Sequence, residues 1–242
     1  MPKFYYDLHT HSCLSPCGDT DNTPCNIAGI AAISGIDIVA LTDHNTAKNC
    51  PAFFKACEHY GIIAIAGMEL TTAEDIHIVC LFETLDDALR FSDYVDTRRI
   101  KIKNRPDIFG EQLIMNENDE VIGQDEFLLS NATTITVDEV KDLTEAFGGV
   151  AFPAHIDRDA NGIISVLGTL PETPDFSCVE FYGSEKIAEI SAKYKLKNKK
   201  IIIDSDAHYL ANMREKENYI ELDADRENAI EVVAALFEYL RK

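Results

Sequence analysis

Apolar positions along the chain follow two periods, and the two alternate. Short apolar runs read as strands at Phe4–Leu8, Asp37–Leu41, Ile62–Ala66, Ile76–Phe82, Gly149–Phe152, Cys178–Phe181, Lys200–Asp204 and Tyr219–Leu222. Between them, helical spacing of apolar residues predicts helices near Asn26–Ser34, Ala47–Tyr60, Asp86–Ile100, Val137–Phe147, Lys186–Lys195 and Arg226–Leu240. The last carries Ile230, Val233, Phe237 and Leu240 on one stripe, with Asp225 as its expected cap. Thr136 and Glu139 have the spacing of a capping box, and Gly148-Gly149 stops the helix they open.

Strands alternating with helices imply βα units and a mainly parallel sheet, closed as a barrel more than left open. The rhythm breaks once. Residues 111–129 place a polar turn between two short strands and read as a hairpin insertion, a candidate flap. Just before it, Arg98, Arg99, Lys101, Lys103 and Arg105 form the densest basic run in the chain. Such a run is either a solvated face or a lid that meets an anionic substrate.

With 242 residues the chain can bury a sizeable core, and residues 1–242 read as a single domain. No apolar run is long enough to span a bilayer and the N-terminus has no apolar signal region, so the expected location is the cytoplasm. The formal charge of −20 opposes general binding to nucleic acid or to an anionic membrane. Bound divalent cations would still make one cleft locally positive, so an anionic small-molecule substrate stays compatible with that charge. The seven cysteines are odd in number and scattered, which argues against a disulfide framework. Cys57, Cys80 and Cys178 have apolar neighbours and read as buried fillers. Cys13, Cys17 and Cys25 lie in a Gly/Pro/Asp loop instead.

The candidate chemistry begins at Asp7-Leu8-His9-Thr10-His11-Ser12. On an extended strand Asp7, His9 and His11 would share one face, and two imidazoles two residues apart suit one borderline metal such as zinc. Alone this motif is weak, but nearly every predicted strand ends on a ligand-type residue. Ile38–Leu41 runs into Thr42-Asp43-His44, Ile62–Ala66 into Gly67-Met68-Glu69, Val150–Phe152 into Pro153-Ala154-His155, and Ile201–Ile203 into Asp204-Ser205-Asp206-Ala207-His208, while His77 opens its own run. In α/β folds the C-terminal strand ends are where chemistry collects. Six of the seven histidines fall in this set, and only His59 lies inside a helix. That many ligands exceed the needs of one ion, so two or three divalent metals follow, with zinc, manganese and iron all compatible.

Taken in order, Asp-Leu-His-Thr-His-Ser, Leu-Thr-Asp-His-Asn, Gly-Met-Glu-Leu, Ile-His-Ile, Pro-Ala-His and Ser-Asp-Ala-His resemble the PHP family, named for polymerases and histidinol phosphatases. The resemblance covers the chain from Asp7 to His208. It implies an irregular (β/α)7 barrel holding up to three metals. It also implies a first metal on His9, His11, Glu69 and Asp206, and a second bridged by Glu69 to His77 and His155. The third would take His44, His208 and one residue of the loop after His11. Relatives often have His or Asp there; this chain offers Cys17, with Asp19 as an oxygen alternative.

The expected reaction is hydrolysis of a small phosphorylated substrate by a water activated between two metals. Arg158 would contact the phosphate through its guanidinium fork, unless it merely pairs with Asp157 or Asp159. Asp43 would be a proton carrier or an orienter of a ligand. Two rival readings stand beside this one: a nuclease on single-stranded nucleic acid, and a non-catalytic metal-binding module.

Overall fold

A computed structural model describes all 242 residues. In chain order it contains β1 (Lys3–Thr10), α1 (Pro24–Ser34), β2 (Ile38–Leu41), α2 (Cys50–Tyr60), β3 (Ile63–Thr71), β4 (His77–Phe82), α3 (Leu85–Arg98), α4 (Pro106–Phe109), β5 (Leu113–Met115), β6 (Val121–Gln124), α5 (Val137–Ala146), β7 (Gly149–Pro153), α6 (Ile163–Leu167), β8 (Cys178–Phe181), α7 (Ile187–Tyr194), β9 (Lys200–Ile203), β10 (Tyr219–Glu221) and α8 (Ala229–Arg241). All eight expected main strands and all six expected helices are present. The Thr136 capping box also forms, with Glu139 Oε2 accepting the Thr136 N–H at 2.9 Å. The last helix starts later than its pattern implied: its cap is Asn228, and Asp225 belongs to the preceding turn. No helix is long and apolar enough to cross a membrane.

The strands form a curled sheet in the order β10-β1-β2-β3-β4-β7, beside a separate parallel pair β8-β9. Both faces are buried, which explains the near-continuous apolar runs. Alternate residues feed two cores: Val39, Leu41, Ile78, Cys80 and Ala151 face the outer helices, while Ile38, Ala40, Val79, Leu81, Val150 and Phe152 line the concave side. Helix α8 fills that concave side with Val232, Leu236, Phe237 and Leu240. Each such side chain contributes about 1.5–3 kcal/mol on burial. Arg241 donates to Gly148 O and pairs with Glu83, and Ser177 donates to Leu240 O. These contacts sit at the starts of β7 and β8 and the end of β4, so α8 plugs one end of the fold and leaves the other open.

The sheet departs from a regular parallel barrel in two ways. Strand β4 is antiparallel to both β3 and β7. Only Thr72–Ile76 join β3 to β4, too short for a parallel crossover. Second, no ladder joins β7 to β8 or β9 to β1. Single bonds close these seams: Ile156 N–H to Glu180 O at 2.9 Å, Leu8 N–H to Asp204 Oδ1 at 2.7 Å, and His11 N–H to Ala207 O at 3.0 Å.

The expected hairpin exists as β5–β6, but it is strapped down and not a free flap. Leu113 N–H donates to Cys13 O at 3.0 Å and Met115 N–H to Asn49 Oδ1 at 2.9 Å. Past β6, Asp125 takes Arg99 at 3.1 Å and Lys48 at 2.7 Å. Most of the basic run is used the same way: Lys101 pairs with Asp96, Arg105 with Asp107, and Arg98 donates to Tyr94 and Thr134. Arg98 and Arg99 thus fasten this excursion, while Lys101 and Arg105 make local pairs at the surface. Gly110, at φ 92°, lies against Pro16 O where no Cβ fits. That approach brings α4 over the loop after His11 and sets Phe109 at the open end.

Candidate metal centre

At the open end the strand termini converge. In β1, Asp7 stands level with Val39 and Thr10 with Leu41, so three steps along β1 match two along β2. This one-residue bulge leaves Leu8 and His9 opposite Ala40, whose carbonyl accepts the Thr10 hydroxyl at 2.7 Å. The bulge overturns the expected alternation. Asp7 stays on the helix side and accepts the N–H groups of Ser205 and Arg214, at 3.0 and 3.4 Å, while His9 and His11 turn into the mouth. The reversal of β4 has the matching effect: His77, its first residue, arrives where the other strands end, level with Thr71.

The result is a buried knot around Glu69. His9 Nε2 and His11 Nε2 lie 3.1 Å apart, and both approach Glu69 and Asp206 within 3.2–3.4 Å. Glu69 also meets His77 at 2.7 Å, His155 at 3.1 Å and His44 at 3.1 Å. Three groups have donor atoms close enough to share an ion: His9, His11, Glu69 and Asp206; His11, His44 and His208; and His44, Glu69 and His77. Cys17 Sγ lies 3.2 Å from His44 Nε2, beside the second of these. Asp19 turns away, its carboxylate accepting the Asp21 N–H at 2.9 Å. His59 sits apart, exposed, edge-on to Tyr60. His155 and Asp206 hold positive φ, 29° and 47°, which costs roughly 1–3 kcal/mol each and is typical of constrained sites.

Cations fit this donor set. His155 Nδ1 is buried without a partner, and His44 Nδ1, Glu69 Oε2 and Asp206 Oδ1 are buried with charged neighbours at 3.1–3.4 Å but no aligned hydrogen bond. Burial alone would lower the His9, His11 and His44 pKa values, yet the surrounding carboxylates, with the Cys17 thiolate beside His44, raise all three. His77 is the exception, lowered because burial outweighs Glu69. Burial would raise Glu69 and Asp206, but the imidazoles hold both well below the ordinary carboxylate range. Burial would likewise raise the Cys17 thiol, but His44 and His208 bring it down to about 5. Protons thus occupy positions that bound metal would take over.

The two residues expected to do more than bind metal separate. Arg158 faces the cluster, paired with Asp206 and stacked on Tyr182 with its guanidinium 3.7 Å from the ring centre; it does not pair with Asp157 or Asp159. Asp43 is buried behind the site, accepting Ser12 N–H at 2.8 Å, Ser12 Oγ at 2.6 Å and Ser15 Oγ at 2.7 Å. Ser15 Oγ in turn meets His11 Nδ1 at 2.9 Å. Above the cluster opens a cavity of about 380 Å³ lined by His44, Glu69, His77, His155, Asp206, His208, Cys17 and Arg158, with Pro16, Phe109, Ser130, Ala160 and Asn161 around them. One partner escaped the sequence reading. Glu180 on β8, fully buried, meets His9 Nδ1 at 2.8 Å.

A PHP domain family model matches residues 7–233. The chain belongs to the PHP family. PHP phosphoesterases are metal-dependent hydrolases of phosphoester bonds, which agrees with the donor set described here. An uncharacterised protein of Methanocaldococcus jannaschii is 34% identical over 84 residues, 31% of this chain and 48% of its own. Among solved structures, the lesion-specific endonuclease PfuEndoQ of Pyrococcus furiosus superposes with a TM-score of 0.68 at 17% identity. That match covers 98% of this chain and 56% of the endonuclease, so this PHP chain spans about half the length of both relatives. A Bifidobacterium adolescentis structure described as a metal-dependent phosphoesterase matches at a TM-score of 0.56 and 17% identity, over 86% of this chain and 88% of its own. At these identities the structural likeness speaks to the fold.

Proposed function

We propose that this PHP protein hydrolyses a small phosphorylated substrate, as a phosphatase or phosphodiesterase of the histidinol-phosphatase kind. The observation that carries the reading is the cavity of about 380 Å³, with the ligand cluster as its floor and Arg158 on its wall. That volume is near the lower end of small-molecule sites. Two or three divalent ions, zinc, manganese or iron, would when bound supply Lewis-acid charge against the phosphoryl and leaving oxygens. His9, His11, Glu69 and Asp206 would hold one, Glu69, His77 and His155 a second, and His44, His208 and Cys17 a third. The Cys17 sulfur favours zinc or iron there.

Arg158 presents its fork to the phosphoryl oxygens, and the Tyr182 face and Asp206 fix its plane before substrate arrives. Asp43 acts as an orienter: through Ser12 and Ser15 it sets the loop carrying Cys17 and the His11 ring, and it does not line the cavity. A nuclease is the second reading. The fold likeness to a lesion-specific endonuclease over 98% of this chain favours it, and the charge of −20 opposes it.

The test is phosphate release by metal-replete protein from histidinol phosphate, sugar phosphates and nucleotide 3′,5′-bisphosphates, with strand cleavage of short single-stranded or abasic duplex DNA followed by gel electrophoresis. Release from a small substrate should vanish in His9→Ala and fall about 10- to 100-fold in kcat/KM in Arg158→Ala, the size of a lost charged hydrogen bond. Cleavage of DNA alone would replace this reading with the nuclease. No release from any substrate, with metals bound, would overturn both.

A further inference from the structure

Strand β8 is the one strand at the open end that supplies no candidate ligand, yet it places a carboxylate directly beneath one. Its outer-face residues Val179 and Phe181 pack under the helices, and Cys178 faces the concave core. Glu180 shares the inward face with Cys178 and has no exposed surface. An ionised carboxylate only accepts hydrogen bonds, so the 2.8 Å contact of Glu180 Oε2 with His9 Nδ1 puts the ring proton on Nδ1. Nε2 is then the nitrogen that faces His11, Glu69 and Asp206, where an ion would replace its proton. His11 reaches the same tautomer by a neutral route: Ser15 gives its proton to Asp43 and so accepts from His11 Nδ1. The second Glu180 oxygen faces the N–H of His155 at 3.4 Å, and the Glu180 carbonyl takes the Ile156 N–H at 2.9 Å across the open seam.

We propose that Glu180 is a positioning residue for the metal centre. Its carboxylate fixes the His9 tautomer, strengthens His9 Nε2 as a donor, and ties that ligand to the backbone of His155, without touching an ion itself. A carboxylate behind a ligating imidazole raises its basicity and locks its orientation, and losing it typically weakens metal affinity 10- to 100-fold. The inference rests on the cluster being a metal centre, and the experiment separates the two.

Zinc affinity, measured by competition with a chromophoric chelator, would be compared among the native protein, Glu180→Gln, Glu180→Ala and His9→Ala. Long-range ¹H–¹⁵N spectra of the histidine-labelled, zinc-loaded protein would read which His9 nitrogen keeps its proton. The expected result is an Nδ1–H ring in the native protein and zinc binding about 10- to 100-fold weaker in Glu180→Ala. Glu180→Gln, which keeps the shape and an acceptor but not the charge, should fall between. It also decides the matter if the alanine variant does not fold. An Nε2–H ring at His9, or Glu180→Gln and Glu180→Ala both binding zinc within about twofold of native, would overturn the proposal. A native protein that binds no zinc, manganese or iron would instead overturn the metal-centre reading.

Discussion

Cys17 is the most distinctive residue of the site, because its chemistry can be read without any substrate. Its thiol, brought to about 5 by His44 and His208, stays a thiolate above that pH. Burial pushes the Cys13, Cys50 and Cys80 thiols up to about 12, and those groups stay inert. Iodoacetamide should therefore alkylate Cys17 first in the metal-free protein, at a rate that declines only as the pH falls through about 5. Excess zinc should block the reaction if the sulfur is a ligand. Peptide mapping by mass spectrometry reads both results; a rate that already declines below about 8.5, the free thiol value, would deny the imidazole influence. Alkylation unchanged by zinc would remove Cys17 from the ligand set. The histidines could be found in the sequence because each follows or opens an apolar run, where a polar side chain is conspicuous. Glu180 could not, since one carboxylate inside Cys-Val-Glu-Phe gives no partner; its only signal is a charge in a strand buried on both faces. Asp43 was visible, but its three hydrogen bonds to Ser12 and Ser15 were not, so proposing it as an orienter needed the fold.

At the scale of elements, the order of strands and helices was legible because apolar period reports local structure directly. The reversal of β4 was hidden by chemistry. Glu69 and Thr71 look like loop residues, so β3 read as ending at Ala66 when it runs to Thr71. The link to His77 therefore looked twice its true length. Helices α4 and α6 are too short to show a period. The basic run before the hairpin became interpretable only when Arg99 and Asp125, with side chains 3% and 4% exposed, proved to be partners. Removing one member of such a pair strands the other, so Asp125→Ala should cost about 3–5 kcal/mol in urea unfolding at neutral pH. Burial raises the Asp125 pKa, but Arg99 and Lys48 outweigh it and hold the group below its usual value. A depressed carboxylate stabilises the fold above its unfolded pKa, about 3.9, and that stabilisation is lost as pH falls through and below it. Native stability should thus drop more steeply than that of the variant between about pH 5 and 2. Parallel curves would show that Asp125 is not the group responsible.

For the molecule as a whole, the charge of −20 limits which ligands approach, while the mouth concentrates nitrogen donors against Glu69 and Asp206 in one small volume. Ions bound only by the folded state stabilise it; at a hundredfold excess over Kd each contributes about 2.7 kcal/mol. For a chain of this length that is roughly 5–10 °C in Tm, which chelation with EDTA should remove and added zinc or manganese restore. The shift should shrink in His9→Ala, and a Tm indifferent to chelation in the native protein would count against bound metal. The two seams without ladders give this arrangement a further consequence. The bonds that close the ring of strands involve His155 and Ile156 with Glu180, Leu8 with Asp204, Ser205 with Asp7, and His11 with Ala207. Each lies within two residues of a candidate ligand or is one, so the clasp of the ring and the seat of the ions are a single structure. Ions bound there would tighten the circumference of the protein, and opening the circumference would scatter the donors.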